Sequence, residues 1–215
     1  MGRYRVAIVI PAFNEEETIY DVVKSAMTFG QPIVIDDFST DATAEKATSA
    51  GAYIVSHSLN MGYDAALNTG FKVAFDRNYD VVVTLDADGQ HEPCLIEKFV
   101  ENIALGADLV LGVRDKCPRF AENVFAFYTK VRYGVNDPLC GIKAYKRSLY
   151  ESLGYFDSYG SIGTELALYG VKKGFVFSQV SFKVKDRVGC SRFGSSFSAS
   201  QRIFRSLFLD FFKTF

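Results

Sequence analysis

Short apolar runs alternate with longer amphipathic segments through the first half of this chain. The apolar runs, rich in β-branched residues, occupy 6–10, 33–35, 53–55, 81–85 and 109–113. The segments between them, at 18–29, 40–50, 65–75 and 93–105, have the composition of helices. This alternation predicts βαβ units, and therefore an α/β fold with a mostly parallel central sheet flanked by helices.

The chain length indicates one domain over residues 1–215. A chain of 215 residues with 48% hydrophobic content is long enough for one substantial core and short for two, since domains cluster near ~100–200 residues. Residues 1–115 carry the alternation. Residues 116–200 contain two helix-like segments, 119–133 and 159–173, without clear parallel-strand partners, and residues 201–215 are predicted to form an amphipathic helix.

Charge and cysteine content exclude several classes of function. The net charge is −1, so the chain has no overall positive field to hold nucleic acid. The spacing of its cysteines gives no C-x-x-C pair, which argues against a zinc site and a disulfide framework. We expect free thiols at Cys94, Cys117, Cys140 and Cys190. With no apolar stretch near the ~20 residues of a membrane span and no secretion signal, we expect a cytoplasmic location.

Polar clusters follow four of the predicted strands at the point where each strand ends. Residues 11–16 follow the first strand, 36–41 the second, 86–91 the fourth, and Arg114 the fifth. Right-handed crossovers place the carboxyl ends of parallel strands along one edge of a sheet, where open α/β sheets bind ligands. We therefore expect the four clusters to converge on one crevice.

The segment Asp86-Ala87-Asp88, with Gln90 beside it, is the sharpest of these motifs. Two carboxylates and an amide oxygen are hard oxygen ligands suited to Mg²⁺ or Mn²⁺. A metal ion bound there would neutralise the charge of a diphosphate leaving group. The alternative interpretation is a solvated acidic turn, because the Asp-x-Asp pattern often occurs by chance.

The ends of the first two strands supply candidates for nucleotide binding. Asp37 could accept hydrogen bonds from a base or ribose, as acidic residues at strand ends do in dinucleotide-binding folds, or it could form a turn. Pro11 and Phe13 could provide an apolar surface for a base, with Glu15 close behind. Simple core packing is the alternative for Phe13.

Four ordered motifs in the first 115 residues resemble those of family 2 glycosyltransferases. They are Pro-Ala-Phe-Asn-Glu-Glu at 11–16, Val-Ile-Asp-Asp-Phe-Ser-Thr-Asp-Ala-Thr at 34–43, Asn-Met-Gly at 60–62 with Ala-Ala-Leu-Asn-Thr-Gly at 65–70, and Leu-Asp-Ala-Asp-Gly-Gln-His-Glu-Pro at 85–93. Four motifs in register are far more specific than any one of them. The branch that they resemble most comprises dolichyl-phosphate mannose synthases and related polyprenyl-phosphate glycosyltransferases.

The resemblance implies a GT-A-type, Rossmann-like fold and an inverting, metal-dependent reaction. A hexose would move from GDP-mannose or a UDP-sugar to polyprenyl or dolichyl phosphate, with Mg²⁺ or Mn²⁺ held by Asp86, Asp88 and Gln90. Asp88 would also be catalytic. The candidate nucleotide-sugar-binding residues are Pro11, Phe13, Glu15, Ile35, Asp37, Asp86, Ala87, Asp88, Gln90 and Arg114.

Weaker counterparts of family motifs occur in the second half. Asp-Pro-Leu-Cys-Gly-Ile-Lys-Ala-Tyr at 137–145 is similar to the family's acceptor-side segment, and Arg-Val-Gly-Cys-Ser-Arg at 187–192 is similar to a late phosphate-binding motif. By this resemblance Arg187, Ser191 and Arg192 would hold the acceptor phosphate. The chain departs from the family pattern at Phe38, where glycine is usual, at Asp64, where a small residue is usual, and at Cys140 and Cys190.

Two alternative functions remain open. The first is transfer to a hydroxyl of a cell-surface polysaccharide or lipopolysaccharide, which needs a general base; Glu165 is the first candidate and Asp137 the second. The other is a non-catalytic module that binds a nucleotide sugar, since a fold does not determine function.

The C-terminal segment places apolar residues on one helical face. They occur at 203, 204, 207, 208, 211 and 212, with Arg202, Arg205 and Lys213 near its polar edge. Such a helix can lie in a bilayer interface, or it can pack on its own domain or on a second subunit in a homodimer. We expect peripheral membrane contact, because a lipid-phosphate acceptor would require it.

Overall fold

The computed structural model describes residues 4–90, 94–115, 119–184 and 196–213. Within these ranges seven strands form one sheet in the order β3-β2-β1-β4-β6-β5-β7. The strands are β1 Val6–Ala12, β2 Gln31–Asp36, β3 Tyr53–Ser56, β4 Val81–Thr84, β5 Leu109–Arg114, β6 Lys143–Lys146 and β7 Phe177–Phe182. The helices are α1 Ile19–Ala26, α2 Thr43–Ala50, α3 Tyr63–Asp76, α4 Cys94–Ala104, α5 Phe120–Tyr133, α6 Arg147–Leu153, α7 Glu165–Lys172 and α8 Ser196–Phe212.

The first half of the chain has the predicted βαβ organisation. β1 pairs in parallel with β2 and β4, and β2 pairs in parallel with β3. Ala7, Ile8, Val9 and Ile10 of β1 are all 0% exposed, as expected for a parallel strand covered by helices on both faces. The predicted mostly parallel α/β fold is confirmed, with small shifts at the ends of individual elements.

The second half contributes two strands that the apolar pattern did not predict. β6 lies antiparallel between β4 and β5, with Lys143 paired to both Thr84 and Leu111. β7 follows α7 and pairs in parallel with β5, so it supplies a parallel strand that the sequence pattern did not show clearly. The two halves of the chain are therefore interleaved in one sheet.

The helix expected at 159–173 forms only as α7, Glu165–Lys172. The segment before it is a loop because Gly160 and Gly163 adopt positive φ angles of 72° and 69°, which a right-handed helix cannot contain. This loop lies near the carboxyl edge of the sheet, where Lys143 Nζ, at the start of β6, donates to the Gly163 carbonyl.

A hydrophobic core lies on each face of the sheet. Strand residues alternate between the two cores, since successive side chains of a strand point to opposite faces: Ile8 and Ile10 belong to one core, and Ala7 and Val9 to the other. Helices α1 and α4 cover the first core, and α3, α5 and α7 cover the second. In the described part of the chain no helix is both long and apolar enough to cross a bilayer.

Candidate active site

The polar clusters do converge on one edge of the sheet. β4 and β5 both run antiparallel to β6, so they point in the same direction as each other and as β1 and β2. Backbone contacts join neighbouring strand ends: the N–H of Asp37 donates to the carbonyl of Ala12 at 2.8 Å. The Thr18 hydroxyl donates to the carbonyl of Ala87 at 2.7 Å, tying the start of α1 to the Asp-x-Asp loop.

Asp86 and Asp88 lie directly after β4 at the centre of this edge. The Tyr63 hydroxyl, at the start of α3, donates to Asp86 Oδ1 at 3.3 Å. Burial and the adjacent Asp86 hold the pKa of Tyr63 well above its usual value, so this side chain remains a neutral donor. Asp88 is buried, and its Oδ1 accepts the backbone N–H of Gln90 at 3.1 Å. Tyr63 is a site residue that sequence reasoning missed.

Gly141 provides the space that Asp86 occupies. A Cβ atom added to Gly141 would lie 1.9 Å from Asp86 Oδ2, far inside van der Waals contact. The Thr84 hydroxyl donates to the Gly141 carbonyl at 2.6 Å, which fixes the glycine backbone against the end of β4. Gly141 thus connects the acceptor-side motif at 137–145 directly to the Asp-x-Asp motif.

The carboxylates of Asp86 and Asp88 suit a hard divalent cation, because the Gly141 cradle keeps Asp86 close to the sheet edge and both groups offer oxygen donors. Among the described residues there is no cluster of three or more His, Cys, Asp and Glu side chains placed to bind a metal. Diphosphate oxygens and the predicted Gln90 amide oxygen would have to supply further ligands. Gln90 as a ligand remains a prediction.

The carboxylate of Asp37 makes three hydrogen bonds within the protein. Its carboxylate accepts the backbone N–H groups of Met61 at 2.8 Å and Gly62 at 2.7 Å, and contacts His57 Nδ1 at 2.8 Å. The other ring nitrogen of His57 contacts the Thr69 hydroxyl at 2.9 Å. Asp37 is 5% exposed, so its described contacts hold the segment that leads into α3. Contact between Asp37 and a base or ribose remains a prediction.

The other predicted donor-side residues lie at the ends of β1 and β2. Pro11 pairs in register with Ile35, but the Ile35 side chain is 0% exposed and belongs to the core. Phe13 and Glu15 are half-buried in the loop after β1. The backbone N–H of Glu15 donates to the Thr43 hydroxyl at 2.8 Å, which anchors this loop to the start of α2.

The backbone conformation at Phe38 is one that favours glycine. Its φ angle is 68°, in the left-handed region that glycine adopts without strain and that bulky residues rarely enter. Neighbouring contacts hold this conformation: the Ser39 N–H donates to Asp36 Oδ1, and the Ser39 hydroxyl accepts the N–H of Asn14. The Phe38 side chain is 49% exposed beside the ends of β1 and β2.

Arg114 and Asp137 form a bidentate ion pair. Arg114 Nε lies 2.7 Å from Asp137 Oδ2, and Nη2 lies 2.9 Å from Oδ1. Arg114 Nη2 also lies 3.1 Å from Glu122 Oε2. Burial alone would lower the pKa of Arg114, but the hydrogen bonds and charge of Asp137, with the charge of Glu122, raise it above its usual value. Asp137 is 2% exposed and uses both oxygens in this pair, which favours a positioning role over proton abstraction.

Glu165 is also fully engaged with the protein. It is 0% exposed at the start of α7. Its carboxylate accepts the backbone N–H of Ser158 at 2.6 Å and the Ser158 hydroxyl at 3.0 Å, and it forms an ion pair with Lys213. These contacts join the 157–164 loop to the C-terminal end of α8. A base at this position would have to break them.

Asp64 anchors the same loop from α3. Its carboxylate accepts the N–H groups of Ile162 at 3.2 Å and Gly163 at 2.7 Å. Ile162 has a φ angle of 59°, a strained conformation for a β-branched residue. Lys143 Nζ donates to the Gly163 carbonyl at 2.8 Å and supports the loop from β6. The departure from a small residue at position 64 therefore has a structural role.

Asp64 makes stability depend on pH. Burial and the charge of Asp157 raise the pKa of Asp64 from 3.8 to about 6, against the opposing effects of its backbone donors and Lys143. The folded state therefore binds a proton more tightly than the unfolded state. The contribution of Asp64 to the free energy of unfolding is fully present below the unfolded pKa. It is lost as pH rises through about 6, and the total loss is roughly 3 kcal/mol. We expect Asp64→Asn to reduce the fall in unfolding free energy between pH 4 and pH 7, measured by urea titration; an unchanged pH dependence would contradict this assignment.

The predicted acceptor-phosphate residues Arg187, Ser191 and Arg192 lie outside the described residues. The same is true of His91 and of Cys117 and Cys190. Of the described cysteines, both are free: Cys94 is exposed and Cys140 is buried.

Comparison with known families and proteins agrees with the motif analysis. The profile described as "Glycosyl transferase family 2" matches residues 7–154. The chain is 28% identical over 180 residues to UDP-N-acetylglucosamine–dolichyl-phosphate N-acetylglucosaminyltransferase of Methanococcus voltae, covering 69% of this chain and 72% of that protein. It is 27% identical over an alignment of 219 residues to polyprenol monophosphomannose synthase of Mycolicibacterium smegmatis, covering 89% and 82%. It covers 66% of an uncharacterised Methanocaldococcus jannaschii protein, with 32% identity over 160 residues, 67% of this chain.

A solved structure has the same fold. Glucosyl-3-phosphoglycerate synthase from Mycobacterium tuberculosis, crystallised with Mn²⁺, uridine diphosphate and glucosyl-3-phosphoglycerate, superposes with a TM-score of 0.77 at 24% identity. The alignment covers 97% of this chain and 80% of that one. At this level of identity the likeness establishes the fold, and the predicted GT-A-type architecture is confirmed.

Proposed function

Because this chain belongs to glycosyl transferase family 2 and is a glycosyltransferase, we propose that it transfers a hexose, with inversion, from a nucleotide sugar to a polyprenyl phosphate. The observation that carries the proposal is the placement of Asp86 and Asp88 at the carboxyl edge of the sheet, with Gly141 leaving room for the Asp86 carboxylate. Two relatives that act on lipid phosphates by name support the acceptor class.

On the donor side, the residues at the ends of β1 and β4 would bind the nucleotide sugar. Asp86 and Asp88 would hold Mg²⁺ or Mn²⁺, which supplies charge neutralisation for the departing diphosphate when it is bound. Tyr63 donates to Asp86 and orients its carboxylate. Phe13, at the end of β1, would contact the base, and Glu15 would lie nearby.

On the acceptor side, the contacts of the two candidate bases, Asp137 and Glu165, favour a phosphate acceptor over a hydroxyl acceptor. A hydroxyl acceptor needs a general base within hydrogen-bond reach, whereas a phosphate is already an anion. Asp137 is held by Arg114, and Glu165 by Ser158 and Lys213. Arg187 and Arg192 would instead bind the acceptor phosphate through charge-assisted hydrogen bonds.

The experiment incubates the protein and Mn²⁺ with labelled GDP-mannose, UDP-glucose or UDP-N-acetylglucosamine, with and without polyprenyl phosphate. We expect label from one donor to enter the organic phase only when lipid is present. Asp88→Asn should reduce this transfer by about 100-fold or more, because the variant loses a charged oxygen ligand. Asp76→Asn, which changes a carboxylate on the exposed end of α3, is the matched control and should retain full activity.

Other outcomes would favour the two alternatives. Slow nucleotide release without lipid product, together with transfer to a glycan, would move the acceptor to a hydroxyl. Donor binding that is independent of metal and is followed by no turnover would favour a non-catalytic binding module.

A further inference from the structure

Helix α8 buries a mixed polar and apolar face and turns four of its phenylalanines outward. Ala199, Ile203, Ser206 and Asp210 are buried. Four aromatic side chains are exposed: Phe204 at 41%, Phe208 at 61%, Phe211 at 59% and Phe212 at 63%. The sequence pattern grouped six apolar residues of this helix in one stripe, at 203, 204, 207, 208, 211 and 212, but the structure separates Ile203 from the phenylalanines. Packing of the whole stripe on the same domain is therefore ruled out.

Specific polar contacts fix this orientation of α8. The Ser206 hydroxyl donates to the Ser161 carbonyl at 2.8 Å. Asp210, 1% exposed, pairs with Lys172 Nζ at 2.7 Å. Rotating the helix to bury its phenylalanines would separate this buried pair and leave an uncompensated charge, which is strongly unfavourable. The outward direction of the phenylalanines is thus determined by the inner face of the helix.

Helix α5 packs beside α8 and exposes further apolar side chains. The Tyr128 hydroxyl lies 3.4 Å from Asp210 Oδ2, and the Tyr128 ring lies 6.2 Å from the Phe211 ring. α5 exposes three large apolar side chains at a spacing of seven and four residues, which places them on one face of the helix. We call the combined surface the aromatic face; its members are Phe120, Phe127, Val131, Phe204, Phe208, Phe211 and Phe212.

The exposed charges that the structure describes on α5 and α8 are all basic. The exposed charged side chains described on the two helices are Lys130, Arg132, Arg202 and Arg205. The sequences of α5 and α8 contain two acidic residues, Glu122 and Asp210, and both are buried and paired with cations. A surface that combines exposed phenylalanine with lysine and arginine complements the interface of an anionic bilayer. A symmetric contact with a second copy would bring like charges together.

We propose that the aromatic face docks on the surface of an anionic lipid bilayer. Its phenylalanines would enter the boundary between headgroups and acyl chains, and the four basic side chains would lie at headgroup level. The membrane would then be the partner of the acceptor side. Only the lipid nature of the acceptor rests on the proposed function. The exposed side chains and their charges support it without reference to any sugar.

The test is co-sedimentation of the full chain with extruded vesicles. We expect binding to vesicles of phosphatidylcholine mixed with phosphatidylglycerol, weaker binding to phosphatidylcholine alone, and loss of binding at high salt. Phe208→Ser combined with Phe211→Ser should lower the vesicle partition coefficient about tenfold or more. Lys130→Gln combined with Arg202→Gln should abolish the preference for anionic vesicles.

The matched control changes exposed apolar residues elsewhere on the protein. Leu105→Ser combined with Val176→Ser alters side chains that are 87% and 60% exposed outside the aromatic face, and it should bind vesicles like the wild type. Equal binding by the Phe208/Phe211 variant would overturn the proposal. The proposal would also be overturned if the wild type did not bind vesicles but formed a dimer, and if the Phe208/Phe211 substitutions dissociated that dimer. The partner of the aromatic face would then be a second copy of the chain.

Transfer to a short-chain, water-soluble polyprenyl phosphate without vesicles separates this proposal from the proposed function. The Phe208/Phe211 variant should retain that transfer while it loses vesicle binding. Vesicle binding by a wild type that transfers sugar to no polyprenyl phosphate would leave the docking surface standing and refute the acceptor instead.

Discussion

Gly141→Ala is expected to lower the affinity for Mn²⁺ and the donor's nucleoside diphosphate by roughly 100-fold, with a similar loss of transfer activity. The added methyl group would lie 1.9 Å from Asp86 Oδ2, so the carboxylate must leave its position against Gly141. The glycine backbone has little freedom to move instead, because Thr84 donates to its carbonyl at 2.6 Å. Isothermal titration of Mn²⁺ with the nucleotide measures the change.

Two controls test whether the effect of Gly141 passes through Asp86. Gly170→Ala places a methyl group 3.0 Å from the flexible Leu149 side chain in the core, so it should cost some stability and leave nucleotide binding intact. In an Asp86→Ala background, Gly141→Ala should produce no further loss, since residues that act through one contact are not additive. A full additional loss in that background would show that Gly141 acts by another route.

The apolar pattern predicted the first half of the fold because its information is local. Each apolar run, such as 81–85, predicts a buried strand. The polar residues after it lie at the carboxyl edge of the sheet because βαβ units are right-handed. β6 was not predicted because its four residues, Lys-Ala-Tyr-Lys, are too few to show a pattern of apolar residues. Its place between β4 and β5 is set by pairing with residues far away in sequence, such as Thr84.

The site was predictable in its motifs and less so in its contacts. Asp86 and Asp88 were predicted from residue type and position, and the sheet places them at the same edge as the ends of the first two strands. Their roles stay predictions. Tyr63 and Gly141 were missed because each meets Asp86 through tertiary packing, with no local pattern to indicate it. The orientation of α8 also could not be predicted from the sequence, since it depends on tertiary contacts such as the pairing of Asp210 with Lys172.

Glu165→Gln is expected to lower the free energy of unfolding by about 1–3 kcal/mol, because it leaves Lys213 without its buried partner and weakens the bonds from Ser158. Sugar transfer well below the unfolding temperature should fall only modestly if the acceptor is a phosphate. Were Glu165 instead a general base, kcat would fall by about 10²–10⁴ in addition to the loss of stability. Urea unfolding and steady-state kinetics on the same preparations distinguish the two roles.

Lys213→Met is the matched partner variant for Glu165→Gln. It removes the other half of the ion pair without touching the carboxylate, so a positioning role predicts that the two variants resemble each other in both stability and kcat. The double variant should lose less stability than the sum of the single losses, as expected for residues in direct contact. If Lys213→Met kept wild-type kcat while Glu165→Gln lost it, Glu165 would act on the acceptor itself. A hydroxyl acceptor would then replace the polyprenyl phosphate, because only a hydroxyl needs its proton removed.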